Sequence, residues 1–183
     1  MRSKMDTPII LWDHDGTITS SKNPNNKTSS RTILPGVKKT MDKAAFNFII
    51  SGFRSPESEL QNFDPDLVTA KFINLMNILP IQAVAFSPAI GGIECHTILK
   101  TTSSILIKKA HEEAKYKDYI GKFKKPDIGM LVVMKGIAEK EFHQIIHNKN
   151  TIMIGDTWHD KESAHTFGIP FMHAQEIHSL KST

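Results

Sequence analysis

Short apolar runs at residues 9–12, 46–50, 81–86 and 151–154 punctuate this 183-residue chain, with helix-length segments between them. That alternation constrains the fold more than any other feature. A continuous apolar run bounded by turn formers suits a strand buried on both faces. Strands separated by helix-length segments pair in parallel through right-handed crossovers. The expected class is therefore α/β: a Rossmann-like, doubly wound parallel sheet in a three-layer α/β/α sandwich.

The segments between the runs carry local signals. Residues 18–34 are rich in Ser, Asn, Thr and Lys, include Pro24, and read as an exposed loop or flap. Pro35-Gly36 opens a helical pattern with Val37, Met41 and Ala44 or Ala45 on one face. Pro65-Asp66 starts a helix to about Leu79, striped by Leu67, Phe72, Leu75 and Met76 or Leu79. From 91 to 124 the pattern weakens, and Ser103 or Ser104 is expected to cap a helix running to about Tyr119. Further helices are expected over about 129–138, 139–147 and 160–166, with an edge strand over 168–172. No repeat or interdomain linker is visible, so 1–183 reads as one domain with a basic insertion at about 88–124.

Composition narrows the class. Lys plus Arg total 23 against 19 Asp plus Glu, a net charge of +4 that permits an anionic partner without requiring one. A lone cysteine, Cys95, excludes intramolecular disulfides and four-cysteine zinc sites. No apolar run approaches the ~20 residues of a membrane span, and no signal-peptide core precedes Pro8. The expectation is a soluble, cytoplasmic protein with no membrane partner.

In open parallel sheets, ligands bind beyond the carboxyl ends of the strands. Those ends carry Asp13-His14-Asp15-Gly16-Thr17, Ser51 and Gly155-Asp156, with Asp160 soon after and Lys125 at a later helix start. An aspartate carboxylate is a competent nucleophile toward phosphorus. A second carboxylate two residues on can protonate the leaving oxygen and then deprotonate water. Gly16 lets main-chain N–H groups approach phosphate oxygens closely. Asp13 and Asp156 suit Mg²⁺, which takes one or two carboxylates, waters and substrate phosphate. Lys125 and the Ser51 hydroxyl suit non-bridging oxygens as charge shifts in the transition state.

Each signal alone is weak. Asp-x-Asp-Gly is also a turn, although not a calcium loop: counting from Asp13 puts Ile18 at the required glycine and Pro24 at the required glutamate. Lys125-Pro126 is also an ordinary solvated helix start. The order of the four signals along one sheet edge carries the argument.

That order resembles the haloacid dehalogenase-like phosphohydrolases. The four motifs are Asp13-His14-Asp15-Gly16-Thr17, Ser51, Lys125-Pro126 and Gly155-Asp156-Thr157-Trp158-His159-Asp160. The resemblance implies a Mg²⁺-dependent phosphomonoester hydrolase acting through an aspartyl phosphate on Asp13, with Asp15 as general acid/base. It implies Mg²⁺ held by Asp13, the Asp15 carbonyl and Asp156, with Asp160 supporting. Lys-Pro-x-x-Gly-Met favours Lys125 over Lys124 for the third motif. The dehalogenase members lack the second acid, so Asp15 points to a phosphatase.

Only about 38 residues separate Asp13 from Ser51, too few for the large cap of many relatives. Ile33-Leu34-Pro35-Gly36-Val37 and Lys125-Pro126-x-x-Gly-Met look like the group of histidinol phosphatase, heptose bisphosphate phosphatase and polynucleotide 3′-phosphatase. Cys95-His96 is too little for the zinc loop of several sugar-phosphate members. Ser51-Gly52-Phe53-Arg54 is nearer the Ser-Gly-Arg of phage polynucleotide phosphatase domains. It adds Gly52 and Arg54 to Gly16 and Thr17 as substrate-binding candidates.

From Lys100 to Lys125 eight lysines face Glu112, Glu113 and Asp118, with Tyr116, Tyr119 and Phe123 interleaved. Such a strip suits single-stranded or end-phosphorylated nucleic acid; a solvated helix face suits it equally. The leaning is toward a polynucleotide 3′-phosphate end, with a sugar phosphate or other small phosphomonoester as the alternative. A receiver-type phospho-accepting domain fits less well, because Asp13 follows the first strand. An idle nucleic-acid-binding protein fits poorly with an intact acid set. His143 and His147 read as one face of a helix, His14 as pointing away from the phosphate, and Cys95 as structural.

Overall fold

The computed structural model describes residues 8–21, 31–52 and 64–179. Its main sheet comprises β1 (Ile9–Trp12), β4 (Phe46–Gly52), β5 (Ala83–Ser87), β6 (His96–Lys100), β7 (Ile105–Lys109), β8 (Thr151–Gly155) and β9 (Phe171–His173). The strand order is β7-β6-β5-β4-β1-β8-β9. β1 lies centrally, parallel to β4 with Trp12 opposite Ile49 and parallel to β8 with Trp12 opposite Ile154. β5 and β9 extend the parallel part on either side.

Alternate side chains feed two cores. Ile9, Leu11, Phe48, Ile50, Ala85 and Met153 point to one face, covered by α3 (Gly129–Phe142) and α4 (Trp158–Phe167). Ile10, Trp12, Ile49, Val84, Phe86 and Ile154 point to the other, covered by α1 (Val37–Met41), α2 (Pro65–Ile78) and α5 (Ala174–His178). This is the expected three-layer sandwich. Asp64 caps α2, its carboxylate accepting from the Asp66 and Leu67 amides.

One polar side chain ties the second core to β1. The buried Asn47 accepts from the Trp12 indole at 2.9 Å and donates to the Met41 and Pro80 carbonyls, both at 3.0 Å. Asn47→Ala leaves these groups buried without a partner and is expected to cost about 3 kcal/mol. Urea unfolding checks this, and a midpoint like the parent's refutes it.

Five expectations need correction. The sheet is mixed, because β6 runs antiparallel to β5, and β7 antiparallel to β6. The helix expected from Ser103 to Tyr119 is therefore absent. The Thr101 hydroxyl accepts from the Ser103 and Ser104 amides and closes a hairpin too short for a crossover. The β-branched Ile98, Ile105 and Ile107 suit the paired strands that result. After Lys109 the chain makes 3₁₀ turns over Ala110–Glu112 and Ala114–Tyr119.

The ring-and-lysine strip is not a stacking platform. Tyr116 and Phe123 are 4% and 0% exposed, and Tyr119 packs against the same core. Apart from Lys125 the lysines do face water, but Lys108, Lys109 and Lys115 pair with Glu141, Glu112 and Glu113 at 3.7, 3.6 and 3.2 Å. α3 ends at Phe142 because His143 turns into the left-handed region at φ 54°. No second helix follows it, so His143 and His147 share no helix face. Finally, the segment read as a loop contains paired strands: β2 (Thr19–Ser21) lies antiparallel to β3 (Arg31–Ile33).

Among the described residues, this hairpin is the structure inserted between β1 and α1, and no helix is long and apolar enough to cross a membrane. Cys95 is buried, and burial pushes its thiol well above the ordinary value, which suits a structural residue.

Candidate active site

The register of the central strands assembles the site. Trp12 is the last residue of β1, level with Ile49 and Ile154, so Asp13 emerges beside the ends of β4 and β8. The Asp13 amide still donates to the Ile154 carbonyl at 2.8 Å, which fixes where its side chain starts. The chain then turns: the Ile18 and Thr19 amides donate to the His14 carbonyl, and Gly16 to the Thr19 carbonyl. Gly16 sits at φ 81°, and a Cβ there would fall within the Asp156 carboxylate. Glycine is thus needed both for the backbone conformation and for the approach of the fourth motif. His178 on α5 lies 2.9 Å from the Thr17 carbonyl and pins the loop from behind.

Asp13, Asp156 and Asp160 come together, each offering an oxygen within 4.8 Å of the others. The Thr17 hydroxyl stands 3.2 Å from Asp13 and 3.4 Å from Asp156, so it can donate to either carboxylate. Lys125, following the buried Phe123 and joined to Pro126 by a cis peptide, reaches between Asp13 and Asp160 and bonds both. The neighbouring Lys124 stays exposed. The other Asp160 oxygen accepts from the Thr157 amide and hydroxyl at 3.0 and 2.7 Å, capping α4. Gly155 makes room for it, since a Cβ there would overlap the Asp160 side chain. Asp160 is therefore at once a helix cap and the anchor for Lys125.

Electrostatics follow from burial. Desolvation lifts the Asp13 carboxyl above its ordinary value; Lys125 opposes this, while Asp160 and Asp156 add to it. Burial alone would lower the Lys125 ammonium, but Asp13 and Asp160 outweigh it and hold it raised. Three carboxyl groups gather around one ammonium, an all-oxygen donor set in which Asp13 and Asp160 are buried and Asp156 half-buried. That chemistry fits a hard divalent cation such as Mg²⁺.

Asp15 lies apart. Its side chain is 51% exposed and ion-paired with Arg31 from β3, and His14 Nδ1 is 3.2 Å from the same oxygen. The His14 ring packs edge-on against Phe72. Burial, followed by the charge of Arg31, pushes His14 down to about 4, so it is neutral near pH 7. Nδ1 then carries the hydrogen toward Asp15, and Nε2 accepts from the Thr19 hydroxyl at 3.2 Å. Ser51 is buried at the end of β4, and Gly52 lies against the Lys125 side chain. Arg54 lies outside the described residues.

No protein-family model and no curated protein sequence matches the chain. A solved structure does: D,D-heptose 1,7-bisphosphate phosphatase from B. bronchiseptica, complexed with magnesium and phosphate. It superposes with a TM-score of 0.53 at 15% identity, over 91% of this chain and 79% of that one. The likeness shows a shared fold, and heptose bisphosphate phosphatase is one of the group that the motifs and their spacing resemble.

Arg31 and Thr19 had no signal in the sequence. Neither belongs to a recognisable motif, and their nearness to Asp15 depends on the pairing of β2 with β3. His178 is likewise remote in sequence from the loop it supports.

Proposed function

We propose that this protein is a Mg²⁺-dependent phosphomonoesterase that works through an aspartyl phosphate on Asp13. The observation that carries the reading is the juxtaposition of Asp13, Asp156, Asp160 and Lys125 at the carboxyl edge of the sheet. An Asp13 oxygen attacks phosphorus and the bond to the leaving oxygen breaks, with Asp15 giving that oxygen a proton. Asp15 then takes a proton from water, whose oxygen attacks phosphorus, and the bond to Asp13 breaks to free inorganic phosphate. Lys125, held by Asp160, meets the negative charge of the phosphoryl oxygens, and the Thr17 amide and the Ser51 hydroxyl are assigned to the same oxygens; the Gly16 amide is not, because it donates to the Thr19 carbonyl. Asp13, Asp156 and the Asp15 carbonyl would hold the Mg²⁺, which when bound neutralises phosphoryl charge. Because Lys125 and Thr157 already occupy its oxygens, Asp160 would act on the cation from outside its ligand shell.

For the substrate, the described residues place no large cap over the rim beside the exposed Asp15, which suits a leaving group that extends away from the site. The buried aromatics withdraw one support for a nucleic-acid end. A phosphate-release panel tests both levels, comparing an aryl phosphate, sugar phosphates and a 3′-phosphorylated oligonucleotide, each with Mg²⁺ and with EDTA. Release that requires Mg²⁺ is expected. Undiminished release in EDTA refutes the metal assignment, and no release from any substrate refutes the phosphatase reading.

A further inference from the structure

We propose that Arg31, carried on β3, is a positioning residue that aims the Asp15 carboxylate at the leaving group. The inference rests on the phosphatase reading above and adds to it a residue outside all four motifs.

Four side chains form a closed circuit. Arg31 Nη1 bonds Asp15 Oδ1 and also donates to the Thr19 hydroxyl at 3.4 Å. Thr19 Oγ1 lies 3.2 Å from His14 Nε2, and His14 Nδ1 lies 3.2 Å from Asp15 Oδ1. The circuit joins the nucleophile loop to the hairpin: Thr19 belongs to β2, Arg31 to β3, and the pairing of Ser21 with Arg31 brings the guanidinium back over the loop. Asp15 needs such support. Its side chain is half exposed, so it has rotamers to lose, whereas Asp13 is already held by burial, Lys125 and Thr17. Among the described residues both contacts on Asp15 fall on the same oxygen, Oδ1, so the transferred proton is assigned to Oδ2. Proton transfer requires the carboxyl within hydrogen-bond reach of the leaving oxygen, and a misplacement of about 1 Å can cost about 100-fold.

The dependence on leaving group separates positioning from other roles. An alkyl phosphate needs a proton on its leaving oxygen, whereas 2,4-dinitrophenyl phosphate expels a stable anion without one. The value of kcat/KM reports the half-reaction in which that group departs. Arg31→Ala is expected to lower kcat/KM for glycerol phosphate by roughly 10- to 100-fold, and for dinitrophenyl phosphate by less than about threefold. Arg31→Lys, which keeps a cation beside Oδ1, should recover part of the loss. In an Asp15→Asn background, Arg31→Ala should add little further loss, since there is no acid left to aim. Equal losses on both substrates would make Arg31 a phosphate contact or a structural residue and overturn the proposal, as would no loss on either. Full additivity with Asp15→Asn would overturn it too. Should the parent hydrolyse neither substrate, the phosphatase reading fails first, an outcome distinct from each of these.

Discussion

Asp13→Asn is expected to lower phosphate release by about 10⁴-fold or more, the scale on which loss of a covalent nucleophile acts, while the fold survives. The amide matches the carboxylate in shape but is no nucleophile toward phosphorus. Its placement does not depend on the lost charge, because the Asp13 amide keeps its bond to the Ile154 carbonyl and the Thr17 hydroxyl can still donate to an amide oxygen. The same preparation should therefore give a circular dichroism spectrum like the parent's. Beryllofluoride, a mimic of bound phosphoryl, should attach to Asp13 in the parent and be lost in the variant. Turnover near the parental rate in Asp13→Asn would remove the covalent mechanism.

The second large effect concerns stability. Lys125→Met should destabilise the metal-free protein by about 3–5 kcal/mol, the cost of leaving a buried charge without its partner. Methionine fills the same volume, so packing changes little, yet Asp13 and Asp160 then face each other with no cation between them. Two further measurements make the cause specific. Adding Asp160→Asn to Lys125→Met should recover part of the loss, because one of the stranded charges is gone. Mg²⁺ should recover part in the single variant, because a ligand that binds only the folded form stabilises it by mass action. Urea midpoints that do not move in Lys125→Met would show that the buried charges are matched by other groups.

The parallel core and its site edge were legible because both are written in short-range terms. Ile9–Trp12 and Thr151–Gly155 are apolar runs that end in Asp13 and in Gly155-Asp156, so strand, strand end and carboxylate come from adjacent residues. The Asp64-Pro65 start of α2 is equally local. The segment after β5 was misread for the opposite reason. Ser103 and Ser104 suit a helix cap, but they lie in the tight turn of a hairpin that is added to the sheet through the pairing of β6 with β5. Tyr116 and Phe123 looked like free rings among lysines, and only the packing of α3 turns them inward.

By itself, the sequence determined the layer architecture, the order of the four motifs and the presence of two acids at the first of them. Periodicity, turn residues and the reach of a dipeptide are properties of neighbours along the chain. Tertiary structure alone decided that Lys125 spans Asp13 and Asp160, and that Arg31 closes a circuit on Asp15. Those contacts join residues on different elements. Their distances are set by strand order, by register and by the space left at Gly16 and Gly155, none of which is encoded by local spacing.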